Sequence, residues 1–279
     1  VCSSDLVLKQ RMITAAWLAP VTLIGLFGLQ GGTFALFTAL IVLLGTWEWT
    51  NLAGVGASRT RMALVAGMAI LLALLWLGGA AYAVWPLWLA AAGWLLNLYW
   101  VTHYPQSSQQ WHTTSRRLLM GVWVLLPCWV GFNVLRESGA VWLLFVLLLV
   151  WTADIGAYFA GRRWGKRKLA PRVSPGKSWE GVYGGLAATT LLALLFAAWQ
   201  PLGVLGGVAL VAITAVVTLT SVLGDLFESM LKRYRNIKDS SQLLPGHGGV
   251  LDRIDSLTAA IPIFALFYLQ VLSLQVSAL

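Results

Sequence analysis

Residues 204–232 read V-L-G-G-V-A-L-V-A-I-T-A-V-V-T-L-T-S-V-L-G-D-L-F-E-S-M-L-K. Residues 204–224 carry no charge. Wound as a helix at about 1.5 Å per residue they cover about 30 Å, the thickness of a bilayer's hydrocarbon core. Asp225, Glu228 and Lys232 then arrive in quick succession. A helix that crosses a membrane and emerges into charge accounts for this order. Apolar runs ended by charges or by Gly, Pro and Asn recur along the chain, at about 12–29, 33–53, 62–77, 80–101, 118–135, 139–160, 181–199, 204–224 and 256–275. The expected fold is an all-α polytopic membrane protein of about nine transmembrane helices, a single membrane domain over 7–279. Breaks at Gly78-Gly79 and Gln200-Pro201 are the weakest, and an eight-span chain with one re-entrant segment is the alternative.

Composition agrees. The chain is 59% hydrophobic and 10% charged, against about 25% charged in soluble domains. Sixteen Trp suit aromatic belts at two interfaces. The formal charge of +9 raises nucleic acid as a partner, but its distribution argues otherwise. With the N-terminus in the cytoplasm and nine alternating spans, every one of the 19 Lys and Arg residues except Arg136 falls on the cytoplasmic side. That is the positive-inside pattern. It puts the C-terminus on the far side and excludes a nucleic-acid function. Cys2 and Cys128 form no CxxC, so neither structural zinc nor a disulfide framework is expected. The opening V-C-S-S-D-L, residues 1–6, reads as a non-native scar.

The charged residues crowd into two loops and their helix ends. On a continued helix Asp225, Glu228, Ser229 and Lys232 share one face; Glu228 and Lys232 make an ordinary i,i+4 pair, whereas Asp225 stands too near the hydrocarbon to be ornamental. Asp252 and Asp255 are three apart, just ahead of the last span. They either complement a helix N-terminus or, with Asp225, hold Mg²⁺, which takes carboxylate, water and phosphate oxygens. P-G-H-G-G at 245–249 offers backbone N–H groups to phosphate or is a plain turn; His247 is a proton carrier, a phosphate donor or a turn-fixing group. S-P-G-K-S at 174–178 ends like a phosphate-binding loop, but Pro171 stands where the nucleotide-binding pattern needs Gly. Ser174, Lys177 and Ser178 remain triphosphate contacts. The run Arg162, Arg163, Lys166, Arg167 and Lys168 suits anionic lipid headgroups. Asp154 and Glu48 reach a depth similar to Asp225, which argues for one polar cavity, although Glu48 reads more readily as packing.

The stretch 229–255 fits S-x-[apolar]-K-R-x4-K-D-x-[small]-x2-[apolar]-P-x-H-G-G-[apolar]-x-D-R-[apolar]-D throughout. This resembles the signature of the phosphatidate cytidylyltransferases, or CDP-diacylglycerol synthases. S-V-L-G-D-L-F-E-S at 221–229, the S-P-G-K-S-W-E-G loop and W-T-A-D-I-G-A-Y-F-A-G at 151–161 are similar to the family as well, and L-K-Q-R-M and W-E-W resemble its bacterial members. The likeness runs from about residue 7 to the end and is most specific after 150. It implies a magnesium-dependent reaction of CTP with phosphatidate, giving CDP-diacylglycerol and pyrophosphate. It also implies a homodimer in the bacterial inner membrane, with the site facing the cytoplasm. It places Asp225, Asp252 and Asp255 at the metal, where a second cation has room to join, and Lys232, Arg233, Lys238 and Arg253 on phosphates. An ion transporter would instead place its acids near the midplane within repeated broken helices. A CDP-alcohol phosphotransferase would show D-G-x2-A-R…G-x3-D-x3-D, absent here.

Overall fold

A computed structural model describes residues 20–246 and 248–276, together with Ala16. Among the described residues the secondary structure is helical apart from one small hairpin and an isolated bridge between Leu244 and Gly248. After a π-helical turn, Ile24–Gly28, come α1 (Gly31–Leu52), α2 (Ser58–Leu77), α3 (Trp85–Thr102), α4 (Thr114–Ser138) and α5 (Ala140–Trp164). Strands β1 (Lys168–Ala170) and β2 (Ser174–Ser178) follow, then α6 (Trp179–Trp199), α7 (Gly203–Tyr234) and α8 (Leu251–Phe267), which runs on through a π turn, Tyr268–Leu272.

Seven of these helices are long and apolar enough to cross a membrane: α1, α2, α4, α5, α6, α7, and α8 with its extension. They coincide with seven of the nine expected spans. The expected span 80–101 becomes α3, an 18-residue helix diluted by four Trp and by Asn97. Of the expected span 12–29, residues 12–15 and 17–19 lie outside the described residues, and the described part ends in the π-helical turn Ile24–Gly28. The expected start of the last span also moves, from 256 back to Leu251. Asp252 and Asp255 therefore belong to the first turns of α8 rather than to the loop ahead of it. The reason is a supply of acceptors: two carboxylates, Glu48 and Asp252, take the N–H groups of Gly249, Val250 and Leu251 that an isolated helix start leaves unpaired.

Helix α7 has 32 residues, about 48 Å, which exceeds the hydrocarbon thickness by about 18 Å. Its last turns, from Asp225 onward, thus project past the apolar layer. Helix α8 is buried between α7, α4 and α3. At Gly224 a Cβ would stand 2.6 Å from the carbonyl oxygen of Asp255, so glycine there lets the two acid-bearing helices touch backbone to backbone.

Helices α5 and α6 pack by the small-residue route open to helices in lipid. A Cβ on Gly184 would meet the Ala160 Cβ at 2.2 Å and the Gly156 carbonyl oxygen at 2.7 Å. Gly184→Val is expected to force the pair apart and cost about 1–3 kcal/mol or more. A thermal midpoint in detergent equal to the parent's would contradict this packing. The hairpin between the two helices pairs Lys168 with Ser178 and Ala170 with Ser174 in antiparallel register. Ser178 then caps α6 by accepting the Gly181 N–H at 3.2 Å.

Candidate active site

The hairpin is anchored at its base. Glu180, in the first turn of α6, accepts hydrogen bonds from the Lys166 and Arg167 backbone N–H groups at 3.1 Å and from Arg167 Nε at 3.1 Å. The Arg167 guanidinium is held above its ordinary value by this hydrogen bond to Glu180. So anchored, β2 carries Lys177 across to α7, where its Nζ lies 2.6 Å from Asp225 Oδ2. Ser229, one turn further along α7, donates to Asp225 Oδ1 at 3.2 Å. Asp154 of α5 stands within electrostatic range of both Lys177 and Asp225.

Asp255 of α8 interacts electrostatically with Asp225, Lys232 and Lys177. Ser256 N–H donates to its Oδ1 at 2.7 Å, and its Oδ2 accepts no hydrogen bond among the described residues. Lys232 donates to Asp252 Oδ1 at 2.8 Å. Its Nζ is also 3.3 Å from Glu228 Oε1, without hydrogen-bond alignment. Glu228 is thus not the solvated partner of an exposed pair: its side chain is 2% exposed, and neither oxygen accepts a hydrogen bond among the described residues. Four elements, α5, β2, α7 and α8, in this way bring four acids and two lysines together, Asp154, Lys177, Asp225, Asp255, Lys232 and Asp252.

Residues 236–246 and 248–250 close the other side. Asp252 Oδ2 accepts from the Ser240 N–H at 2.9 Å, the Ser240 hydroxyl at 2.9 Å and the Gly249 N–H at 2.8 Å. With Lys232 on Oδ1, four donors occupy this carboxylate. Behind it lies Glu48 of α1, fully buried. It accepts from the Ser241 hydroxyl at 2.5 Å, the Val250 N–H at 2.9 Å and the Leu251 N–H at 2.6 Å, and shares the single proton of the Ser240 hydroxyl, 3.2 Å away, with Asp252. Asn51 adds a bond to the Ser240 carbonyl oxygen at 3.0 Å. The backbone must come close: a Cβ on Gly249 would be 2.1 Å from Ser240 Oγ and 2.7 Å from Glu48. Gly248 takes φ +81°, where a side chain is strained.

Of the residues singled out by sequence, Lys177, Asp225, Lys232, Asp252 and Asp255 meet here. Arg233 is exposed nearby, its Nε donating to the Val173 carbonyl oxygen at 3.2 Å. Ser174 lies on β2, and the Ser178 hydroxyl serves as the α6 cap. Lys238 and Arg253 are exposed and form no ion pair among the described residues. His247 lies outside the described residues. The glycine-loop amides expected for phosphate are engaged differently, since Gly249, Val250 and Leu251 give their N–H groups to Asp252 and Glu48. Sequence reasoning placed Glu48 in packing and passed over Ser240. The available signal was an ionisable residue in an otherwise uncharged helix; its partners lie about 200 residues away.

The donor chemistry can be set against Mg²⁺. Among the described residues no three acidic, histidine or cysteine side chains converge as a metal-holding group. Mg²⁺ usually needs only one or two carboxylates, the rest being water and substrate phosphate. Asp225 and Asp255 fit that demand. Asp252, with four protein donors on its two oxygens, contributes only if Lys232 releases Oδ1.

Fold and site together define a polytopic membrane protein with a cation–carboxylate cluster at one end of its bundle. The chain belongs to the cytidylyltransferase family, whose sequence pattern matches residues 9–271. It is 52% identical over 263 residues to a phosphatidate cytidylyltransferase of Pseudomonas aeruginosa, covering 92% of this chain and 96% of that one. A phosphatidate cytidylyltransferase of Haemophilus influenzae is 41% identical, with 95% and 100% covered. One of Brucella suis is 36% identical, with 93% of each covered.

Proposed function

We propose that this protein is a CTP:phosphatidate cytidylyltransferase. A phosphate oxygen of phosphatidate attacks the α-phosphorus of CTP, the bond from that phosphorus to the β-phosphate's bridging oxygen breaks, and CDP-diacylglycerol and pyrophosphate form. The observation that carries this reading is the gathering of Lys177, Asp225, Asp255, Lys232 and Asp252 from three separate elements, in a chain whose relatives bear that name over nearly their whole length. Two anions must meet in line, and the attacking oxygen is already ionised near neutral pH. Catalysis here is therefore positioning and charge neutralisation rather than strong base chemistry.

Lys177 and Arg233 bind triphosphate oxygens, with Ser174 beside Lys177 on the same strand. Lys232, held by Asp252, faces the departing pyrophosphate. Lys238 and Arg253 add positive potential at the mouth, which raises the local concentration of nucleotide. Asp225 and Asp255 would hold Mg²⁺, which when bound neutralises phosphate charge and aligns the two reactants. The proposal extends to a nine-span topology in which α3 and the segment before Ile24 also cross, with the N-terminus and the active site in the cytoplasm, the C-terminus on the far side, in a bacterial inner membrane and as a homodimer. The all-but-one partition of Lys and Arg supports that orientation.

The test is purified protein in detergent with phosphatidate, labelled CTP and Mg²⁺. CDP-diacylglycerol is expected, lost with EDTA and restored by Mg²⁺; no labelled lipid under any divalent cation would refute the assignment. Lys177→Ala is expected to raise KM for CTP about tenfold or more, because a charge-assisted phosphate contact is lost. A defect confined to thermal stability, with KM unchanged, would remove Lys177 from the nucleotide.

A further inference from the structure

A long apolar groove of about 980 Å³ runs along the bundle between α3 and α6, floored by α7 and α8. One wall is a single stripe of α3: Trp88, Ala91, Leu95, Leu98 and Thr102, at successive three- and four-residue steps. From Trp88 to Thr102 it measures about 21 Å. The facing stripe of α7 holds Leu219, Val222 and Leu226 in the groove. The same stripe then turns polar, with Ser229 three residues on and exposed Arg233 seven residues on. Asp225 follows Val222 by three, so the groove's upper end borders the Lys177–Asp225 pair. The polar ends of α3 and α7 are level, because Trp111 packs between Tyr104 and Tyr234, with ring centroids 6.3 and 4.8 Å away. Val173 and Arg172 of the hairpin roof that end.

An apolar groove with a wall about 21 Å long, Arg172 at its end and Ser229, Arg233 and the Lys177–Asp225 pair on the rows of α7 just beyond, matches an anionic diacyl lipid. One leaflet of hydrocarbon is about 15 Å deep, so the groove takes a full-length acyl chain with its phosphate at the charged end. We propose that this groove holds an acyl chain of phosphatidate and that its depth sets the chain length the enzyme prefers, an inference that rests on the reaction proposed above. A chain lying there presents its phosphate beside Ser229, one turn of α7 from Asp225.

The experiment fills the groove near its deep end from two sides. Ala91→Trp on α3 and Leu219→Trp on α7 are assayed with dipalmitoyl and dioctanoyl phosphatidate. The ratio of kcat/KM for the long lipid over the short one is expected to fall about tenfold in each variant. In the parent, phosphatidate carrying a diazirine at its chain terminus is expected to label α3 between residues 88 and 98, read by mass spectrometry. An unchanged ratio in both variants would overturn the proposal. So would label confined to other helices, including exclusion from α3 because a second copy of the chain covers it. Failure of the parent to convert either lipid would count against the reaction instead, while the photolabel would still decide the groove.

Discussion

Asp225→Asn is expected to lower turnover by about 10³-fold or more while leaving the protein inserted and folded. The substitution keeps size and shape and removes one negative charge. If Asp225 served only as the partner of Lys177, little would follow: the two side chains are 29% and 27% exposed, and ion pairs that accessible contribute about 0–1 kcal/mol. A carboxylate that would hold the cation neutralising a reaction between a monophosphate and a triphosphate anion contributes several kcal/mol in the transition state, and each 1.36 kcal/mol is a factor of ten in rate. Large loss of rate with a small shift in thermal midpoint separates the two roles. The measurement is single-turnover formation of labelled CDP-diacylglycerol beside a melting curve in the same detergent. Activity within tenfold of the parent would exclude Asp225 from the reacting centre.

Glu48→Ala is expected to cost both stability and rate, by about 100-fold in turnover. Glu48 touches none of the charged groups that face the cluster, yet three donors converge on it and it shares a fourth, the Ser240 hydroxyl, with Asp252. Removing it strands the Val250 and Leu251 N–H groups in a buried site, at about 1–3 kcal/mol for each unsatisfied donor. It also frees Ser240, whose N–H and hydroxyl hold Asp252 in place. The start of α8 then loosens, and with it Asp252, Asp255 and the grip on Lys232. Because a misplacement of about 1 Å costs about 10² in rate, the kinetic effect reaches well beyond the residue itself. Glu48→Gln keeps one acceptor oxygen and turns the other into a donor facing donors, so it is expected to fall between Ala and the parent. Mutants with unaltered kcat and melting midpoint would show that the loop is held by other means.

The membrane fold and most of the candidate site were legible in the chain alone. Uncharged runs of about 20 residues have one stable solution in lipid, a helix with its backbone satisfied internally, and seven of the expected spans stand where the apolar runs stand. Length and apolarity are local properties, which is why they read correctly. They read less well for α3, where Trp and Asn97 dilute the signal, and for α8, whose first turn is stabilised by a carboxylate contributed from α1. The charged residues could be recognised for the same local reason, since ionisable groups are too costly beside hydrocarbon to be incidental.

What the chain by itself determined, then, is which segments are apolar enough to cross lipid and which charged residues crowd at their ends. Their partners were decided only by tertiary packing. Asp252 as the anchor of Ser240 and Gly249, Glu48 as the acceptor at the start of α8, and Lys177 laid on Asp225 all depend on helices approaching closely at Gly224 and Gly184 and on a hairpin folded over α7. Hydrogen bonds and ion pairs act over a few ångströms between groups as much as 200 residues apart, and no sequence spacing encodes a contact whose distance is set by how two other helices pack.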